Sequence, residues 1–223
     1  MATETRSTTS QIDDSSIGTL AWSPPGNSGA SDNSYDSVSG GPVTISHYLL
    51  CQRFNFATIA DTDTLTQLKF RIEKKKSGAG NVRDYQIRMI FAGAIQSGEL
   101  ADTATDWAGS DGYVEYTVTS GLPTPTQLKS NPVVPDLNNF GVAISCQNTN
   151  GFAWSADLDH VECVASYTLA GEAPTRIGTF VRQAANRAAN FCFFRGGKPL
   201  PRIPYFRPRL RPAHFLFQGE FSR

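Results

Sequence analysis

Several stretches of the chain gather side chains that could do chemistry. In SADLDHVE, Asp157, Asp159 and His160 stand within four residues, a carboxylate and imidazole set of the kind that holds a metal or moves a proton. Either task needs further convergent groups, and the other histidines, His47 and His214, lie in unrelated contexts. The simpler reading is local: the aspartates cap a turn, and His160 opens the last strand. SDNSYDS offers Asp32, Asn33 and Asp36 as calcium-type oxygen ligands, but lacks the acidic spacing and closing Glu of an EF-hand loop, so an ordered loop without metal is expected. Asp102 with Asp106, and Asp111 with Glu115, are carboxylate pairs; glycoside hydrolysis would need such a pair facing across a cleft. They read more simply as the solvated acids of loops around Trp107 and of an exposed strand face. The sequence contains no GxSxG, HExxH or P-loop. The expectation is a non-catalytic protein without cofactor or metal.

Aromatic and basic groups raise two further possibilities. Trp107, Tyr113, Phe152 and Trp154 fall in or near loops; exposed rings there would stack on sugars, with Trp107, Tyr113 and Trp154 as the glycan-binding set. Rings capping the ends of a core are the commoner use. EKKKSGAGNVR reads as a basic, solvated hairpin tip.

These residues sit on a framework of short strands. Leu68, Phe70 and Ile72 alternate with Lys69, Arg71 and Glu73; Tyr85, Ile87, Met89 and Phe91 alternate with Gln86 and Arg88. YVEYTV follows the same period. So do Phe140, Val142, Ile144 and Cys146, and then Val161, Cys163, Ala165, Tyr167 and Leu169. Period two is the mark of half-buried antiparallel strands. The intervening SPPGNSGASDNS, KSGAGN, WAGSDG, SGLPTPT and QNTNG are turn chemistry. The predicted fold is all-β: an antiparallel two-sheet β-sandwich, jelly-roll-like, over residues 18–170, preceded by a flexible polar leader over 1–17.

Residues 171–223 differ in character. Phe180, Ala184, Ala188 and Phe191 at helical spacing predict a short helix near 177–191. GKPLPRIPYFRPRLRPAHFLF (197–217) follows, with prolines that forbid a helix or a central strand and favour extended backbone. Ten basic residues stand against Glu172 and Glu220 in 171–223, and ten basic against eighteen acidic in the first 170, so a formal net charge of zero hides an acidic body and a basic arm. Opposite fields steer association. The arm is as apolar as it is basic, which argues for a protein surface over nucleic acid. Arg202, Tyr205, Phe206, Arg207, Arg209, Arg211, Phe215 and Phe217 are its expected anchors on a neighbouring subunit.

The body from about Ala21 to Leu169 resembles a β-sandwich module of tailed-bacteriophage structural proteins, also met in some bacterial surface proteins. WSPPGNSGASDNSYDS, YLLCQRFNF, LTQLKFRIEKK, NNFGVAIS and DHVECVASYTL carry the resemblance, in that order. It implies a structural protein of a virus particle (capsid decoration, neck or tail), assembled in the host cytoplasm, with other virion subunits as partners and homo-oligomers expected. A carbohydrate-binding module for host attachment is the alternative. No apolar run reaches the roughly 18 residues that cross a bilayer, and MATETRSTTSQIDDSS has no apolar core of a signal peptide. No membrane partner is therefore expected, and Cys51, Cys146, Cys163 and Cys192 read as buried thiols.

Overall fold

The computed structural model describes residues 1–92, 94–129 and 140–171. The expected short helix at 177–191 and the arm anchors from Arg202 to Phe217 lie outside them. Ten strands follow in order: β1 (Ala2–Ser7), β2 (Ser10–Asp14), β3 (Asp36–Gly40), β4 (Tyr48–Gln52), β5 (Thr64–Gly78), β6 (Val82–Phe91), β7 (Ala94–Ile95), β8 (Gly112–Val118), β9 (Gly141–Asn148) and β10 (Trp154–Thr168). A four-residue helix, α1 (Pro125–Leu128), opens on a Thr124 capping box with Gln127.

The strands form two antiparallel sheets. The first runs β1-β10-β5-β8, with β3 also on β10; the second runs β2-β4-β9-β6-β7. β10 organises the first sheet. One of its edges pairs with β5 almost throughout, while the other is shared by β3 at its start and β1 at its end. The changeover coincides with an irregularity between Leu158 and His160, where Gly29 makes an isolated antiparallel bridge with His160 and the Val161 N–H donates to the Ser28 carbonyl at 3.0 Å.

Period-two burial holds on most predicted positions. Leu68, Phe70, Ile72, Ile87, Met89, Phe140, Val142, Ile144, Cys146, Val161, Cys163, Ala165 and Tyr167 all face the core between the sheets. Phe140 packs against Phe54, Phe56 and Phe70 with ring centroids 5.8–5.9 Å apart, at the centre of that core. β9 is also covered on its second face, where Ala143 joins Tyr48, Leu50 and Ile90 in a smaller cluster under Ile17 and Ile95. Gly141 is the one residue that fits there: a Cβ would lie 2.4 Å from the Cys51 carbonyl oxygen.

Four expectations need correction. Residues 1–17 contain no flexible leader: β1 and β2 lie on the edges of the two sheets, one strand in each. Backbone pairing on an edge strand tolerates the Ser and Thr side chains that made the segment look unstructured. Tyr85 is not on the core face, because a bulge between Asp84 and Gln86 shifts the phase of β6. Leu169 is exposed, one residue past the end of β10. β10 itself begins at Trp154 rather than at His160, so the SADLDHVE acids are strand residues and not turn caps.

Candidate functional site

The strongest concentration of chemistry is one the sequence reading passed over. The inward positions of β5 run Leu68, Phe70, Ile72 and then Lys74, and those of β6 begin Val82, Asp84. An ammonium and a carboxylate therefore meet between the sheets, where Lys74 is only 5 % and Asp84 1 % exposed. Lys74 Nζ lies 2.5 Å from Asp84 Oδ1. The loop after β7 closes over them: Trp107 donates its backbone N–H to Val82 and its indole N–H to Asp84 Oδ1 at 2.7 Å. Tyr116 of β8 donates to Asp84 Oδ2 at 2.7 Å, and the Asp102 backbone N–H to the same oxygen at 3.1 Å. Four donors thus converge on one carboxylate.

The lysine is held as closely. Nζ also reaches the Tyr116 hydroxyl at 2.5 Å and sits 4.4 Å from the centre of the Trp107 ring, a cation over an aromatic face. Burial pulls the Lys74 ammonium below its ordinary pKa, against the opposing pull of Asp84. Burial, then the Asp84 charge, push the Tyr116 hydroxyl far above its usual range, so it stays a proton donor. The neighbouring Cys146 thiol is pushed up to about 12, chiefly by burial.

The residues singled out from sequence do not converge on one site, although the Asp32 backbone N–H donates to Asp159 at 3.4 Å. Asp36 is fully buried and accepts from the backbone of Asn27 and Ser28 and from the Ser28 hydroxyl, which makes it the anchor of the loop. Asp32 instead caps Ser34, and the Asn33 side chain accepts from Tyr35. Asp102 caps Ala104 and Thr105, while Asp106 pairs with Arg83. Asp111 binds Tyr35 and Lys75, whereas Glu115 binds Lys69 and Arg71. Neither carboxylate pair shares a partner. Asp157 accepts from Ser37.

His160 does join a chain of polar groups on the outer face of the first sheet. Its Nδ1 is 2.8 Å from the Tyr113 hydroxyl and its Nε2 2.8 Å from Ser7 Oγ, so it links β8 to β1 across β5 and β10. Arg71 lies over the Tyr113 ring and pairs with Glu162. His47 plays a similar part in the second sheet, with Nδ1 2.9 Å from Asp13 of β2. His160 and His47 thus fasten the two N-terminal strands.

Two of the three rings of the alternative glycan set are buried, as the commoner core-capping reading has it. Trp107 is 4 % and Trp154 3 % exposed; the Trp154 indole N–H donates to the Gly41 carbonyl. Tyr113, at 38 %, is the open member of the three. Large rings close the sandwich because they supply area that a small domain must bury. In the basic hairpin, Lys74 is interior, and Lys76 Nζ donates to the Gly80 carbonyl. Among the described residues no group of three or more His, Cys, Asp or Glu is placed to hold a metal ion.

Ion pairing divides the body's charges unevenly. Among the described residues, eight of its ten cations, all but Arg53 and Lys76, lie within 4 Å of a body carboxylate. No family model matches the chain, and no curated protein matches it.

Proposed function

We propose that this chain is a non-catalytic structural subunit of a virus particle of the tailed-phage kind, in which the basic segment 171–223 docks on a neighbouring subunit. In this reading the body is a sandwich of the jelly-roll kind, and the segment carries a short helix before its proline-rich run. The observation that supports it most is the charge division. Among the described residues the body's cations are almost all neutralised by its own carboxylates, which leaves a surplus of described acids with no basic partner among the described residues. The matching surplus of Lys and Arg lies in 171–223, interleaved with the aromatics that anchor protein interfaces. Arg202, Tyr205, Phe206, Arg207, Arg209, Arg211, Phe215 and Phe217 are the proposed anchors.

Solution mass by light scattering tests this on three forms: the full chain, the chain ending at Gly171, and the full chain with Arg207, Arg209 and Arg211 changed to Gln. The full chain is expected to assemble, the shortened chain to be a folded monomer, and the triple variant to dissociate at lower salt, since exposed charge contacts are screened. Equal masses for the full and shortened chains would overturn docking between copies.

A further inference from the structure

We propose that Lys74 and Asp84 become joined by an amide bond inside the folded protein, a covalent tie between the two sheets. The contact has features that condensation requires. The two groups are on opposite sheets, held by the inward phase of β5 and β6, and neither side chain has room to retreat into solvent. Nζ is 2.5 Å from Oδ1, so the carboxyl carbon is one bond beyond the contact. Fixed reactants of this kind reach effective molarities of roughly 10⁵–10⁸ M, which lowers the barrier that amide formation meets in water.

The surroundings also divide the work between the two carboxylate oxygens. A proton passed from Nζ to Oδ1 gives a free amine and a neutral carboxyl. In a dry site that exchange is cheap, because burial penalises both charged forms. The amine lone pair then attacks Cγ, forming the C–N bond. Negative charge gathers on Oδ2, where the Tyr116 hydroxyl at 2.7 Å and the Asp102 N–H at 3.1 Å already point. Oδ1 takes a second proton from the nitrogen and leaves as water while Oδ2 becomes the amide oxygen. Of the three ammonium protons, two depart with Oδ1 and one stays on the amide nitrogen; no oxidant or co-reactant is used. The two donors on Oδ2 serve the product as well as the intermediate. Trp107 covers the departing oxygen with its indole N–H and shields the nitrogen with its ring.

Intact mass spectrometry of the denatured full-length chain reads the result directly. The expected mass is lower by one water than the sequence requires, and a tryptic digest yields a branched peptide joining the segments around Lys74 and Asp84, with no cleavage after Lys74. Lys74→Met is expected at its full sequence mass, and Asp84→Asn lighter by one ammonia. A wild-type chain at full mass, unchanged after incubation at mildly alkaline pH, would overturn the proposal. So would a loss of water that persists in Lys74→Met, which would mark a cyclic imide at Asp111–Gly112. If the variants fail to fold, the presence or absence of the branched peptide in the wild-type digest decides alone.

Discussion

Asp84→Ala and Lys74→Met should damage the protein unequally, although each removes one half of the same buried pair. Neither variant can carry an amide between the two positions, so the difference between them reports only on how each remaining ion is housed. Removing Asp84 leaves an ammonium at a nearly solvent-free position with a phenol as its remaining acceptor, and strips the Trp107 indole of its partner. Breaking a buried pair from that side costs about 3–5 kcal/mol. Removing the amine is milder: Met fills most of the lysine stem, and the carboxylate keeps Trp107, Tyr116 and the Asp102 N–H. Relative to the unlinked ion pair, one charge-assisted hydrogen bond of four is lost, about 1.5–3 kcal/mol. Equilibrium urea unfolding followed by tryptophan fluorescence measures both, since Trp22, Trp107 and Trp154 are all buried. The pH dependence gives an independent check. In the unlinked pair burial already holds the Lys74 pKa below 10.5, and losing the carboxylate depresses it further. The penalty is complete below the folded value, shrinks as pH rises towards the unfolded one, and is gone above it. Asp84→Ala should therefore recover stability towards alkaline pH. Equal costs, a larger cost for Lys74→Met, or a flat alkaline limb would refute this account of the site.

Three other outcomes follow from the packing. Phe140→Ala empties the centre of the aromatic cluster and should cost roughly 3–5 kcal/mol in the same urea assay. Glu4 ties β1 to the loop after β4: burial alone would raise its pKa, but hydrogen bonds from Thr58, Arg6 and the Ala57 N–H outweigh it and hold the carboxyl below 4.5. Its contribution is present above 4.5 and disappears as pH falls through the folded value, so Glu4→Gln should lower the unfolding midpoint at neutral pH and flatten its acid dependence. Cys51, Cys146 and Cys163 are buried, with thiols raised by desolvation, so an alkylating reagent at neutral pH should label them at the rate of unfolding; fast labelling of native protein, mapped by peptide, would contradict the core as described.

The strand framework was legible because burial on one face writes itself as period two, and β5 shows how far that signal reaches. Leu68, Phe70 and Ile72 announced the inward phase, and the next inward residue in the same count is Lys74. The charge type drew it into a basic turn, although the period placed it in the core. Asp84 is in phase with Val82 in the same way, but the bulge that follows breaks the count before Ile87 and hid the match. Burial of Trp107 and Trp154 is a tertiary property: what decides it is which loop closes which end of the sandwich, and neither indole differs in local sequence from an exposed ring. The N-terminal strands were hidden for the opposite reason. Edge strands with polar side chains have little hydrophobic period to show, and what fixes them is contact with distant residues, β1 through His160 and Glu4, β2 through His47.

That last arrangement ties the two sheets to each other. β1 and β2 are consecutive, yet each closes a different sheet, so the first fourteen residues bridge the sandwich at one edge, as the Lys74–Asp84 contact bridges it from inside. The outer face of the first sheet adds a third tie, from Ser7 through His160 to Tyr113, which runs across all four of its main strands. These polar groups bind sheet to sheet and strand to strand, so the docking proposed for segment 171–223 would act on a body whose sheets are tied at an edge, in the core and across an outer face.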